Sequence, residues 1–126
     1  MSIDQNKAVV RRFITEVLAG GNMDLIDELL APNYSNRTMG TDLAGFKAML
    51  AGMKAAITPA QIEDLVAEGD AVVARFTFEM IDANEKKIPV RCLTYYRLAD
   101  GRIVEDEPIT TPDLSALMPL MVPAPS

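Results

Sequence analysis

The chain has 126 residues, is 49% hydrophobic and 24% charged, and carries a net charge of −6. A chain of that length buries roughly two-thirds of its unfolded surface around one core, and no run in it approaches the roughly 20 apolar residues of a membrane span. Histidine is absent and Cys92 stands alone, which removes the usual general base, the commonest metal ligand, every Ser-His or Cys-His pair and any internal disulfide.

Acidic residues are spread along the chain, so nucleic-acid backbones would be repelled, and Lys86-Lys87 is too short a basic run to reverse that. The start, Met1 to Asn6, lacks the basic and apolar regions of a signal peptide, and a cytoplasmic protein of one domain spanning residues 1–126 is expected. Acid–base chemistry must fall to Asp, Glu, Tyr, Lys or Cys.

Ser2 with Gln5 reads as a capping box, and Val10, Phe13, Ile14, Val17 and Leu18 recur at helical spacing until Gly20-Gly21. Asn22 caps a second helix carrying Leu25, Ile26, Leu29 and Leu30, closed by Pro32. After an irregular stretch from Tyr34 to Gly40, Thr41 or Asp42 caps a third helix through Leu43, Phe46, Leu50, Met53 and Ile57, stopped at Thr58-Pro59. The period then becomes two. Strands are expected near 61–68, 71–81, 87–98 and 102–110, with turns at Gly69-Asp70, Asp82 to Glu85 and Asp100-Gly101. Helices followed by a strand meander predict an α+β fold with an antiparallel sheet. The tail, with Leu114, Leu117, Met118, Leu120 and Met121 interrupted by Pro119, Pro123 and Pro125, is apolar enough to dock on the body or on a partner chain.

The run from Ala67 to Thr77, Ala-Glu-Gly-Asp-Ala-Val-Val-Ala-Arg-Phe-Thr, followed by Tyr96-Arg97-Leu98-Ala99-Asp100-Gly101-Arg102-Ile103-Val104-Glu105, resembles the SnoaL-like polyketide-cyclase pattern. That pattern is a turn, a strand reading V-x-x-R-W-T and then F-R-x-x-D-G-K-I-V-E. The resemblance implies a cone-shaped curled sheet with three N-terminal helices in its concave face and a ligand cavity between them. Limonene-epoxide hydrolases, a related branch, use Y-x-N after the second helix, R-x-D on a central strand and a further Asp after the D-G turn. Tyr34-Ser35-Asn36 is similar to the first motif and Arg75 to the arginine of the second. Thr77 and Pro108 stand where the two aspartates would be, so that water-activating route lacks its acid and base. Asp106 falls where the SnoaL-like pattern often carries a histidine.

From Ala71 to Ile81, even positions give Val72, Ala74, Phe76, Phe78 and Met80, and odd positions give Val73, Arg75, Thr77 and Glu79. Pattern alone sends the even row to the core and Arg75 to water. The resemblance implies the reverse, with Arg75 and Thr77 in the cavity and the Phe76-Phe78 face covered by a second subunit. A three-residue loop at Ala99-Asp100-Gly101 sets Thr94 across from Asp106, and a two-residue loop sets Tyr95 there. With the longer loop, Val90, Cys92, Thr94 and Tyr96 share a face with Asp106 and Thr110, a wall mostly apolar with a few polar groups.

The expected site thus has Asp106, Arg75 and Tyr34 as its catalytic set, with Asn36, Thr77, Val90, Cys92, Thr94 and Tyr96 as substrate contacts. Asp106 would move a proton on a hydrophobic carbonyl-containing or terpenoid-like molecule, isomerising, cyclising or dehydrating it, while Arg75 or a tyrosine hydroxyl steadies the developing oxyanion. Such chemistry requires no organic cofactor, and no carboxylate spacing suggests a metal. Met49, Met53, Met118 and Met121 suit a pliable pocket lining. The alternatives are a non-catalytic binding or assembly domain of the same fold, and a hydrolase with a rearranged site.

Overall fold

The computed structural model describes residues 2–53 and 55–121. Its first helix, α1 (Ile3–Arg12), begins at a reciprocal cap in which the Gln5 N–H donates to Ser2 Oγ at 3.1 Å and the Ser2 N–H donates to Gln5 Oε1 at 2.9 Å. The helix then widens into a π-helical segment, Phe13–Leu18, which buries Phe13, Ile14 and Val17. A 3₁₀ turn at Met23–Leu25 runs into α2 (Ile26–Leu29), a single turn burying Ile26 and Leu29.

The chain becomes extended sooner than its helical spacing predicts. Leu30–Asn36 is a strand, β1, where a helix end and an irregular stretch are expected. Its residues bury Leu30, Ala31, Tyr34 and Asn36 and expose Pro32 and Asn33. The pairing of β1 is irregular between Leu30 and Ser35, and Pro32, which has no N–H to give to a ladder, falls inside that irregularity. After β2 (Thr41–Asp42), Asp42 caps α3 (Leu43–Ala51) by accepting the Gly45 N–H at 2.9 Å. Instead of reaching Ile57, α3 closes at Gly52. Ala56–Ile57 forms β3 against Met80 and Ile81, so Ile57 serves the core from extended chain.

The meander β4 (Gln61–Glu68), β5 (Ala71–Ile81), β6 (Lys87–Ala99) and β7 (Arg102–Thr111) follows the alternating pattern of the sequence. The strand order is β2-β1-β7-β6-β5-β3, with β4 also paired to β5. The meander pairs antiparallel as expected, but β1, a strand not expected, runs parallel to β7, so the sheet is mixed. It is curled and unclosed. Residues of α1, the π segment, α2 and α3 complete one core with Val72, Ala74, Phe76, Tyr96 and Ile103 from the strands. Leu114–Met121 forms α4, whose Leu117 is buried. The expected docking of Met118, Leu120 and Met121 concerns side chains outside the described ones, as Pro123 and Pro125 lie outside the described residues.

Candidate active site

On β6 the alternation is strict, with Val90, Cys92, Thr94, Tyr96 and Leu98 inward and Arg91, Leu93, Tyr95 and Arg97 outward. On β7 it is broken once. Asp100 and Gly101 both take positive φ, 52° and 80°, and make a two-residue turn that pairs Ala99 with Arg102 and Leu98 with Ile103. Arg97 then pairs with Glu105, which leaves Val104 as the extra residue of a bulge. An unbroken strand would send Ile103 and Asp106 to opposite faces. Because of the bulge both are buried, and Asp106 pairs with Tyr96, in neither register expected from the loop alone. The inward set is nonetheless the one expected from the longer loop, since bulge and shorter turn together restore its parity.

β1 lies beside this point of β7, with Asn36 paired to Asp106 and the Arg37 N–H donating to the Asp106 carbonyl at 2.8 Å. Tyr34 and Asn36, two apart on a strand, therefore face the same way as Asp106. The Tyr34 hydroxyl donates to Asp106 Oδ2 at 2.9 Å, while Asp106 Oδ1 and Thr94 Oγ1 are buried without a partner among the described residues. Asn36 Oδ1 accepts the Met39 N–H at 2.9 Å and so shapes the loop beyond β1. The aromatic rings interlock. Phe46 of α3 meets Tyr34 edge-on at 5.8 Å, and Phe13 of the π segment meets Tyr96 at 6.0 Å.

Burial carries the electrostatics of the site. Asp106 is 5% exposed, and its pKa is pushed up from 3.8 to about 7 by burial first, with the Tyr34 hydrogen bond opposing the rise and the charge of Glu105 adding to it. Burial and the neighbouring Asp106 charge raise both Tyr34 and Tyr96, so the two phenols stay protonated. Burial alone pushes the Cys92 thiol up to about 12, which leaves it a packing residue.

Asp106, Tyr96, Thr94, Asn36 and Cys92 line a cavity of about 70 Å³ whose other walls are mostly apolar, among them Phe13, Phe46, Phe76 and Met49, while Tyr34 stands behind Asp106 as its hydrogen-bond donor. The cavity abuts an open cleft of about 750 Å³, and Met39, Pro108, Thr110 and Leu114 belong to both. Of the methionines expected to line a pocket, Met49 does, and Met53 packs on the core. Met39 and Met80 also line it. Sequence reasoning missed Phe13, Phe46 and Leu117, whose helical spacing marks them as core and says nothing of the space beside them.

Arg75 and Thr77 are not in the cavity. Arg75 lies on the outer face, its side chain 53% exposed and paired with Asp64 and Glu63. Thr77 is outward beside Arg91. The apolar even row of β5 points inward because Val72, Ala74, Phe76 and Met80 are the surface the helices must cover, and period two then leaves Arg75 to water. With that row covered by the chain's own helices, a second subunit is not needed over Phe76 and Phe78. Among the described residues no helix is long and apolar enough to cross a membrane, and no three His, Cys, Asp or Glu residues gather as metal ligands would.

No curated protein matches the sequence closely enough to count as a relative. Among solved structures, a candidate polyketide cyclase from Acidithiobacillus ferrooxidans is similar at 26% identity and a TM-score of 0.71, over 87% of this chain and 91% of that one. TsrD from Streptomyces laurentii is similar at 20% identity and a TM-score of 0.74, over 94% of this chain and 97% of its own. An epoxide hydrolase of limonene-epoxide-hydrolase type from M. tuberculosis is similar at 17% identity and a TM-score of 0.72, over 84% and 82%. These likenesses establish the shared fold. The profile of the SnoaL-like domain matches residues 10–106, and the chain therefore belongs to the SnoaL-like family.

Proposed function

We propose that this SnoaL-like protein is an enzyme that isomerises or cyclises a hydrophobic carbonyl compound by proton transfer, with Asp106 as the group that moves the proton. The observation that carries the reading is the Asp106 carboxyl itself: buried, held on one oxygen by Tyr34, free on the other, and shifted to about 7, where a group exchanges protons in both directions near neutral pH. The Asp106 carboxylate takes a proton from the carbon beside a carbonyl, leaving an enolate and a neutral carboxylic acid. Returning that proton to a different carbon, or letting the enolate carbon attack a second carbonyl while the acid protonates its oxygen, completes the cycle. Protons and electrons balance without an oxidant or reductant. Tyr34 is a positioning residue, and no Arg75 role is included.

The cavity is smaller than the roughly 300–1,000 Å³ of ordinary ligand pockets, so the reacting oxygen end is seated within and the apolar body extends past Met39 and Leu114 into the cleft. A homodimer belongs to the same reading, now through the outer sheet face, where Val66, Leu93, Tyr95 and Ile109 are exposed. The test is hydrogen–deuterium exchange at the α-carbons of 2-tetralone, a neutral bicyclic ketone, followed by NMR in D₂O. Asp106→Asn is expected to lower protein-catalysed exchange by about a hundredfold or more while the chain stays folded. Exchange unchanged by that substitution removes Asp106 from the chemistry. Binding of the ketone with no exchange in the unaltered protein favours the non-catalytic reading, which the absence of histidine recommends.

A further inference from the structure

Proton abstraction at Asp106 leaves negative charge on the substrate oxygen, and with Arg75 on the outer face something else must receive it. No lysine or arginine lines the cavity among the described residues. We infer that Thr94 is the oxyanion donor of this site, its hydroxyl bonding the substrate oxygen while Asp106 works on the adjacent carbon; the inference rests on the acid–base reading above.

Three observations meet at Thr94. Its side chain lies on the inward row of β6 and lines the cavity, it is only 2% exposed, and its Oγ1 has no partner of ordinary hydrogen-bond geometry among the described residues, the Tyr96 phenol being the neighbouring hydroxyl that interacts with it. A buried hydroxyl without a partner costs stability, so a site that keeps one has either a ligand or a water to give it. Its position then matches the reaction. Thr94 pairs with Pro108 and Tyr96 with Asp106, so Thr94 and Asp106 are diagonal neighbours across β6 and β7. Diagonal side chains on paired strands start roughly 7 Å apart. One carbonyl oxygen and its adjacent carbon fill that gap, with a hydrogen bond from Thr94 at one end and the Asp106 Oδ1 lone pair at the other. Asp106 Oδ1 is the oxygen Tyr34 leaves free, so the two partnerless atoms on the cavity wall are the two that enolisation needs. With neutral hydroxyls and no cation to meet the oxygen, the site takes ketones or neutral esters and disfavours carboxylates.

The test compares Thr94→Val, which keeps the shape and removes the donor, with Thr94→Ser, which keeps the donor. Exchange of 2-tetralone reads turnover, and fluorescence titration with 2-naphthol, a stable enol of the same skeleton, reads affinity for the enol-like state. Thr94→Val is expected to lower maximal exchange about a hundredfold and to weaken 2-naphthol far more than 2-tetralone, because a donor aimed at developing charge acts on the enol-like state. Thr94→Ser should recover most of both. Equal weakening of ketone and enol would make Thr94 a ground-state or structural contact and overturn the inference, as would undiminished exchange in Thr94→Val. If the unaltered protein binds both probes but catalyses no exchange, the acid–base reading fails first and the oxyanion role with it.

Discussion

Asp106 is stable as a buried acid only in its neutral form, and that makes folding depend on pH. Its folded pKa of about 7 lies above the ordinary 3.8, so the folded chain holds the proton more tightly than the unfolded chain. The contribution is therefore fully present below about pH 4, is lost as pH rises toward 7, and is constant above; its size is on the order of 4 kcal/mol. The chain has no histidine, so no imidazole titrates through that window. Urea unfolding at about pH 5 and about pH 8 should show the loss, and Asp106→Asn, an uncharged side chain at both values, should abolish most of the difference. A wild-type stability that is flat over this range would mean that Asp106 is not desolvated. Burial sets the Asp106 value first, with the Tyr34 hydroxyl from β1 opposing the rise and the charge of neighbouring Glu105 adding to it. The Tyr34 hydroxyl bonds the charged form, so Tyr34→Phe should move the Asp106 pKa further up, and the rising limb of 2-tetralone exchange should move above pH 7 with it. An unmoved or lowered limb would show that the hydrogen bond does not act on the ionised carboxylate.

What aims these residues is set by elements, and the elements differ in how far the sequence reveals them. β4 to β7 are legible because period two sustained over eight or more residues fits a half-buried strand and no helix, and Asp100-Gly101 supplies the turn. The bulge at Val104 is not legible. No residue there demands it, yet it decides that Ile103 and Asp106 both face inward. Leu25 to Leu30 carries a helical period, but the stretch is too short to settle where helix gives way to strand, and the parallel partner of β1 lies about 70 residues away, beyond any local signal. Membership of the cavity by Thr94 follows from the strand parity of β6, that of Asp106 depends on the bulge, and the outward turn of Arg75 shows pattern overruling motif likeness. At the other end, α4 reaches the site through Leu114 and Leu117, i and i+3 on one face. Leu117→Ala should cost roughly 2–3 kcal/mol as a buried leucine truncation, and by admitting water should bring the Asp106 pKa down from about 7. NMR titration of the Asp106 carboxyl checks the second effect, and an unchanged value would place α4 outside the cavity wall that desolvates it.

At the scale of the molecule, the same alternation separates two surfaces. Inward residues of β5, β6 and β7 make core and cavity, and outward ones leave Val66, Leu93, Tyr95 and Ile109 exposed beside the ion pairs of Arg75 with Asp64 and of Glu105 with Arg37 and Arg97. Leu93 and Ile109 are directly paired across β6 and β7, while Val66 and Tyr95 flank Val73 of β5 on either side, so the apolar groups adjoin instead of being scattered. With a charge of −6 per chain, two copies meet only where apolar contact outweighs repulsion, and such a dimer should tighten as salt is raised. Sedimentation at two salt concentrations tests this, with Leu93→Lys and Val66→Lys as variants of the outer face alone. If the face is the interface, both variants sediment as monomers while Asp106 titrates as before, because neither side chain reaches the cavity. A protein that sediments as a monomer at every concentration and salt leaves the outer face solvated, and the cavity chemistry then belongs to one chain alone.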